Sequence, residues 1–514
     1  MRKWLERYIS VILWVAILFA FLFTRMWRLT DIPAGLHLDE AGMAYDAWCL
    51  SQYGVDRHLN SWPVYLLNFG GGQSILYAYL LAGLFKLFGF HAILIRIPGV
   101  FFSLLALIFT MAASRILFPD NKYAPYIAGA LVVICPYYIM AGRLGLDCNL
   151  MLGCAAVFFY CLLKALESEK RTWYLLAGLS GGIMLYSYVL SYLILPLFLI
   201  LVMVCAIWTR RFSLGKWALM AVSMGLLAAP LILEQVVNVF GLEQIRLGIF
   251  TITKMDSYRA SEFGTFSLNS LRVALRDIFV GDMWRHNSVP GFYNLYRLSV
   301  PLAIAGAVRF GQKCLSSLRR REMDPTALVL GWFFAVLFVV CHIYPCINQV
   351  NSIFFAYTLL TVEGIHWLTG LGKIAGKICA AAVSLIFVIC FVGFGRYYYG
   401  GAYVAENHPM PYFDILIPEA VEFIEDHPQY GVNGAQTAEH TIYLALSSLR
   451  SPYELRLIND DPYVLDYYHC SYLGEIEDGY YYIVRNIFPE YSDELRMKGY
   501  TEIVYGDYSL FYRE

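Results

Sequence analysis

The chain has 514 residues, 59% of them hydrophobic and 15% charged, where soluble domains carry about 25% charge. That excludes a soluble multidomain protein and leaves a polytopic membrane protein. The formal net charge of −1 hides a division, with 32 basic and 19 acidic residues through Gly400 but 6 and 20 after it. A basic membrane body, 1–400, is thus followed by an acidic tail, 401–514, long enough for a small domain of its own. No nucleic-acid partner is expected.

In chain order, the first apolar run, Tyr8 to Thr24, lies behind Arg2, Lys3 and Arg7. It is too long for a signal-peptide core and no small-x-small cleavage site follows, so it is predicted to be an uncleaved span. Further spans are predicted near 92–117, 124–141, 149–166, 173–190, 191–208, 217–235, 297–312, 326–342, 352–369 and 378–395, about eleven helices in all. One more run, Ser74 to Phe88, is short, contains Lys86 and is bracketed by glycines. If it lies in the interface, the basic clusters at Arg115/Lys122, Lys164/Lys170/Arg171, Arg210/Arg211/Lys216, Lys313/Arg319/Arg320/Arg321 and Lys373/Lys377 share the side of the basic N-terminus. The positive-inside rule favours that arrangement. It predicts a plasma (inner) membrane protein with a cytoplasmic N-terminus and an extracytoplasmic C-terminal domain. Residues 28–91, the 141–149 turn, the 236–296 loop and the 342–352 turn then also lie outside.

Within the first outer loop, residues 40–53 fit a short amphipathic helix with Met43, Ala47 and Leu50 on one face. In the tail, YYYIVR (480–485) reads as a strand, 489–500 as a helix and 501–514 as strands joined at a Gly-Asp turn, giving a small α/β domain. Most of the twelve cysteines sit inside apolar runs as small hydrophobic residues. Cys341 and Cys346 flank HIYP and are near enough to pair, but neither a disulfide framework nor a zinc spacing is visible.

Chemistry-bearing residues gather in the outer segments. Asp39 and Glu40 open the predicted helix that follows the first span, where a carboxylate serves as a general base or as an N-cap. Asp147 and Asn149 occupy a turn between two spans, with Arg143 four residues before the acid. Carboxylates from the two loops can share a divalent cation, Mg or Mn, through Asp39, Asp147 and Asn149. Alternatively, one acts as a base while an arginine holds phosphate. Arg143, Arg96 and Arg297 stand near span ends and are candidates to face a phosphate, or simply snorkel to the interface. The 236–296 loop adds Lys254, Arg259, Arg272, Arg276 and Arg285, and its LNSLRVALRDIFVGDMW stretch is an amphipathic candidate for lying among headgroups as a lipid gate. Glu234, ending a span behind Pro230, either lines a cavity or reaches water.

The order of an Asp-Glu loop, a short apolar helix ending KLFG (86–89), RIPG (96–99) at a span start and a span ending PYYIMAGRLGLD (136–147) resembles the GT-C glycosyltransferases. The likeness is to bacterial relatives of protein O-mannosyltransferases and of the lipid A aminoarabinose transferase, over roughly residues 1–210. It implies an enzyme that moves a sugar from a polyprenyl-phosphate donor to a hydroxyl of a lipid, glycan or protein acceptor, inverting the anomeric carbon. By the same resemblance Asp39 is the general base or acceptor-orienting carboxylate, and Asp147 matches a second acidic loop. The chain departs from the pattern at Asn149, where a paired acid would stand, and at NFGGGQS (68–74), where relatives carry charge.

Two other classes compete. A transporter or flippase of lipid-linked sugars requires charges buried mid-span and repeated halves, whereas here charge clusters outside the spans and no repeat is evident. A non-catalytic envelope scaffold is weakened by the intact Asp-Glu pair.

Overall fold

Long apolar runs close their own backbone hydrogen bonds and so become helices, the form a bilayer tolerates. The computed structural model describes residues 2–68, 71–255, 263–281, 288–289, 291–372, 374–407, 413–428, 431–435, 441–455, 471–472, 476–486 and 488–513. Among them, six helical segments have the length and apolarity to cross a membrane: Tyr8–Met26, Ala92–Leu117, Asp147–Ser168, Ser191–Trp208, Leu214–Val239 and Ala375–Tyr399. Of the other predicted spans most are shorter or broken, while the one at 297–312 lies in Ser299–Arg319, long enough at 21 residues but not apolar enough. The 124–141 run divides into Ala124–Ile134 and Pro136–Ala141 because Cys135, extended at ψ 139°, precedes a proline that disfavours the helical conformation before it. The 173–190 run is helical only as Arg171–Leu185. Leu76–Phe88 has 13 residues, about 20 Å of helix against a hydrocarbon core of about 30 Å.

The chain forms two compact units. The first comprises Met1–Leu29, Arg96–Ala229 and Ala260–Ala405 and holds most of the long apolar helices. Ser299–Arg319 and Ile353–Thr369 approach so closely that a Cβ on Gly306 would collide with the Leu360 carbonyl oxygen, and one on Gly364 with that of Leu302. Small residues at such crossings let helix backbones pack without side-chain bulk. The same pair is tied by Glu363, fully buried, to Arg309 at 3.1 Å and Lys313 at 3.0 Å.

The second unit joins Thr30–Ile95, Pro230–Arg259 and Glu406–Glu514, so the loop after the first long helix and the acidic tail fold together. The tail carries a five-stranded sheet in the order Thr501–Tyr505, Tyr508–Tyr512, Tyr480–Arg485, Gly431–Ala435, Ser471–Tyr472. Its first two strands form an antiparallel hairpin that closes with Tyr505 opposite Tyr508, around the expected Gly506-Asp507 turn. The helix Pro489–Met497 packs Leu495 against Tyr482, Val484, Tyr500 and Phe511.

Strand pairing, hydrogen bonds and helix packing bind this tail to the loop. Leu36–His37 pairs antiparallel with Phe413–Asp414. Tyr443 Oη donates to the Leu36 carbonyl at 2.9 Å. The helix Thr441–Ser448 packs on Leu38–Tyr53, beyond which Tyr45 Oη and Trp48 Nε1 donate to the carbonyls of Arg450 and Leu449 at 2.9 and 3.1 Å. The loop segment 230–259 contributes a second brace. Val64 N donates to Thr251 O at 3.0 Å, and Thr253 Oγ1 donates to Tyr65 O at 3.0 Å.

Candidate functional site

Residues Leu38–Tyr53 form a helix with His37 as N-cap. The His37 N–H donates to Glu40 Oε2 at 2.8 Å, and the Asp39 N–H donates to His37 Nδ1 at 3.1 Å, a reciprocal cap that satisfies donors the helix start leaves open. Asp39 therefore lies within the first turn rather than at the cap, where the helix dipole favours its charge. The 40–53 stretch is not a one-sided amphipathic helix at an interface: Leu38 and every residue from Glu40 to Ala47 are buried, because Leu76–Phe88 and Thr441–Ser448 pack against it. Asp39 is the exception, with 43% of its side chain exposed.

The Asp39 carboxylate is held from one side. Asn68 Nδ2 donates to its Oδ1 at 3.1 Å. Oδ2 lies 3.6 Å from His37 Nδ1, but that nitrogen already accepts the Asp39 N–H and so carries no hydrogen to donate. One carboxylate oxygen is thus fixed by an amide, and the other is available to a hydroxyl. Glu40, fully buried, has one oxygen committed to the cap.

Behind Asn68 lies a buried charge network that sequence reasoning missed. Arg57 donates through Nη2 to Asn68 Oδ1 and, at 3.1 Å, to Leu67 O. Its N–H donates to Asp46 Oδ1 at 3.0 Å, and its Nε stands 3.6 Å from the same oxygen. Asp56 caps the turn that presents Arg57, accepting from the N–H groups of His58 and Asn60 at 2.9 and 2.8 Å. Burial pushes the carboxyls of both Asp46 and Asp56 up from the ordinary range, with Arg57 pulling the other way. Two signals were present in the sequence: Asp39 and Asp46 are seven apart, hence on one helix face, and NFGGGQS supplies a tight hairpin (Tyr65–Asn68 with Gly71–Ser74) that aims Asn68. Phe69 and Gly70 of that segment lie outside the described residues.

The other predicted residues have different fates. Arg143 neither snorkels nor is exposed: it is fully buried, donating to the carbonyls of Thr24, Arg25 and Arg28 at 3.2, 3.0 and 2.9 Å and lying over the rings of Tyr398 and Tyr399. Arg96, also buried, donates to Leu29 O at 2.7 Å. Both arginines close the C-terminal end of the first long helix, where carbonyls lack partners and cations are favoured. Arg297 is exposed, over the Tyr293 ring at 4.9 Å.

Asp147 begins its helix, its Oδ1 accepting from the Cys148 N–H at 2.8 Å. Asn149 is buried and turns its amide to Leu144 O at 3.3 Å. Among the described residues no three His, Cys, Asp or Glu side chains gather as metal ligands. Asn149 thus turns its side chain to the backbone, which leaves Asp147 as the acid of that turn.

Glu234 does not reach water. It is buried, accepting from Gln235 Nε2 and Asn238 Nδ2, both at 2.7 Å. In the long loop, Leu268–Phe279 is the expected amphipathic helix, burying Ser270, Ala274, Asp277 and Ile278 with Arg272 and Arg276 exposed. Lys254 meets Glu243 at 3.2 Å, while Arg259 and Arg285, like Lys373, lie outside the described residues. Cys341 and Cys346 are not joined in a disulfide.

Residues 72–233 match the family described as dolichyl-phosphate-mannose-protein mannosyltransferase. No curated protein matches the chain. Among solved structures, ArnT from Cupriavidus metallidurans bound to undecaprenyl phosphate is similar at 14% identity and TM-score 0.56, covering 98% of this chain and 97% of that one. The apo state of the same protein gives 12% and 0.57, covering 98% of both chains. The archaeal oligosaccharyltransferase AglB from Archaeoglobus fulgidus, in complex with an inhibitory peptide and a dolichol-phosphate, gives 13% and 0.50, covering 99% of this chain and 75% of that one. At these identities the likeness is one of fold, and the chain shares its fold with these solved structures.

Proposed function

We propose that the chain transfers a sugar from a polyprenyl-phosphate donor to an acceptor hydroxyl at the outer face of the plasma membrane, with inversion at the anomeric carbon. The observation that carries this reading is Asp39, a half-exposed carboxylate among the otherwise buried residues Leu38 to Ala47, with one oxygen fixed by Asn68 and the other available. As the acceptor oxygen bonds to the anomeric carbon, its proton passes to Asp39 Oδ2. The bond from that carbon to the phosphate oxygen breaks, and polyprenyl phosphate leaves with the electron pair. The growing negative charge on the phosphate calls for a cation. The candidates are Arg96, Arg143 and Arg297; the guanidinium groups of the first two hold main-chain carbonyls, and Arg297 is exposed. Asp147 is the second candidate acid. Solved proteins of this fold hold undecaprenyl phosphate and a dolichol-phosphate, which supports a lipid-borne donor; the basic gaps between apolar runs support the orientation.

The test uses membranes bearing the full chain and polyprenyl phosphates loaded with labelled hexoses or pentoses. Transfer of one of these sugars into a lipid, glycan or protein fraction is expected; no transfer from any of them rejects the reading. Treatment with a chelator decides whether Mg or Mn takes part. A reporter fused after Gly89 is expected outside, and a cytoplasmic signal there reverses the orientation.

A further inference from the structure

Asp39, Gly42 and Asp46 fall at positions i, i+3 and i+7 of one helix and so share a face. Across that face runs a continuous polar chain. Asp46, fully buried, accepts from the Arg57 main chain and stands beside its Nε. Arg57, itself 3% exposed, donates to the Asn68 carbonyl oxygen. The Asn68 amide then donates to Asp39. Gly42 is what lets the chain pass: a Cβ there would lie 2.8 Å from both Arg57 Nη1 and Asn68 Oδ1.

An amide held between a cation and a carboxylate is polarised by both, and each hydrogen bond strengthens the next. Its plane is fixed at one end by a guanidinium that is buried, pinned by Leu67 O and by His58 Nε2 at 3.2 Å, and opposed by Asp46. A helix packed for stability alone needs none of this, since burying a charge among apolar groups is costly unless it is paired. The one solvent-facing member of the chain is Asp39.

We propose that Asn68, Arg57 and Asp46 are positioning residues that lock the Asp39 carboxylate so that Oδ2 meets the acceptor, with Gly42 as the passage that admits them. The proposal rests on the reading of Asp39 as the base, and its test separates the two. Full-length wild type, Asn68→Ala, Arg57→Ala and Arg57→Lys are purified, with thermal melting as the folding control. Two quantities are measured: the rate at which a carbodiimide and an amine label Asp39, read by peptide mass spectrometry with Asp147 as internal reference, and sugar transfer as above.

In Asn68→Ala and Arg57→Ala, labelling of Asp39 is expected to rise about tenfold, the worth of one hydrogen bond to a charged group, while labelling of Asp147 stays unchanged. Transfer is expected to lose kcat by a similar factor, with KM for the lipid donor held. Arg57→Lys is expected to recover part of both effects. Millimolar guanidinium is expected to restore Arg57→Ala but not Asn68→Ala, a rescue that a merely structural arginine would not show. Wild-type labelling of Asp39 in folded Asn68→Ala and Arg57→Ala overturns the proposal, as does guanidinium that rescues neither labelling nor transfer. Faster labelling in a chain whose wild type transfers no sugar upholds the lock and rejects the glycosyltransfer reading instead.

Discussion

The loop around Asp39 and the turn around Asp147 carry the same kinds of residue, an acid with an arginine nearby, yet they differ in what their side chains serve. At the turn, Arg143 holds the main-chain carbonyls of Thr24, Arg25 and Arg28, and Asp147 accepts from the backbone of its own helix start. These interactions finish helix ends inside the apolar unit. In the loop, Arg57, besides holding the Leu67 carbonyl, and Asn68 interact with other side chains and leave one acid half exposed at the end of the polar chain. Buried polar groups that terminate on backbone are explained by the fold. Those that terminate on an accessible carboxylate call for a chemical role.

The largest expected effect breaks the comparison if it fails. Asp39→Asn is expected to lower transfer at least about a hundredfold, the scale of a positioned general base, whereas Asp147→Asn is expected to retain most of its activity; equal losses would erase the distinction. Arg143→Ala comes next. It removes three hydrogen bonds to main-chain carbonyls and is expected to cost about 3 kcal/mol of stability, read as a fall in melting temperature in detergent that Arg143→Lys does not fully recover.

The pH dependence of folding sharpens the account of the loop. Asp46 and Asp56 have raised carboxyl pKa values in the folded state, so the folded chain keeps protons that the unfolded chain releases. Their contribution to stability is fully present below about pH 4 and is lost as pH climbs through the raised folded values. Melting temperatures of wild type are therefore expected to decline over that window more than those of Asp46→Asn, and identical slopes would contradict the raised values. The smallest effect concerns the tail. Tyr443→Phe removes the hydrogen bond to Leu36 O and is expected to cost about 1 kcal/mol, felt as easier proteolysis of the loop after the first long helix.

Much of the apolar architecture was legible because bilayer thickness sets a length that a run such as Ser191–Trp208 meets without help from partners. The break at Cys135 was legible too, in Pro136, though the reading ran a single span through it. The tail's 480–485 strand and Gly-Asp hairpin followed from alternation and turn chemistry. The helix 38–53 was misread as one-sided because the helix that covers it, Thr441–Ser448, lies some 400 residues away in the chain. Arg96 and Arg143 were found at span ends, but no local pattern says that their partners are carbonyls of another helix. Asn68 sat in a glycine-rich stretch that reads as loop, and only the hairpin register turns its amide to Asp39.

The central claim, that Asp39 is the working carboxylate, is tested most directly by single-turnover transfer of labelled sugar from polyprenyl phosphate by folded wild type and Asp39→Asn side by side. The account predicts transfer by wild type and loss of the chemical step in the variant, with the lipid still bound. Transfer at the same rate by both proteins would contradict it.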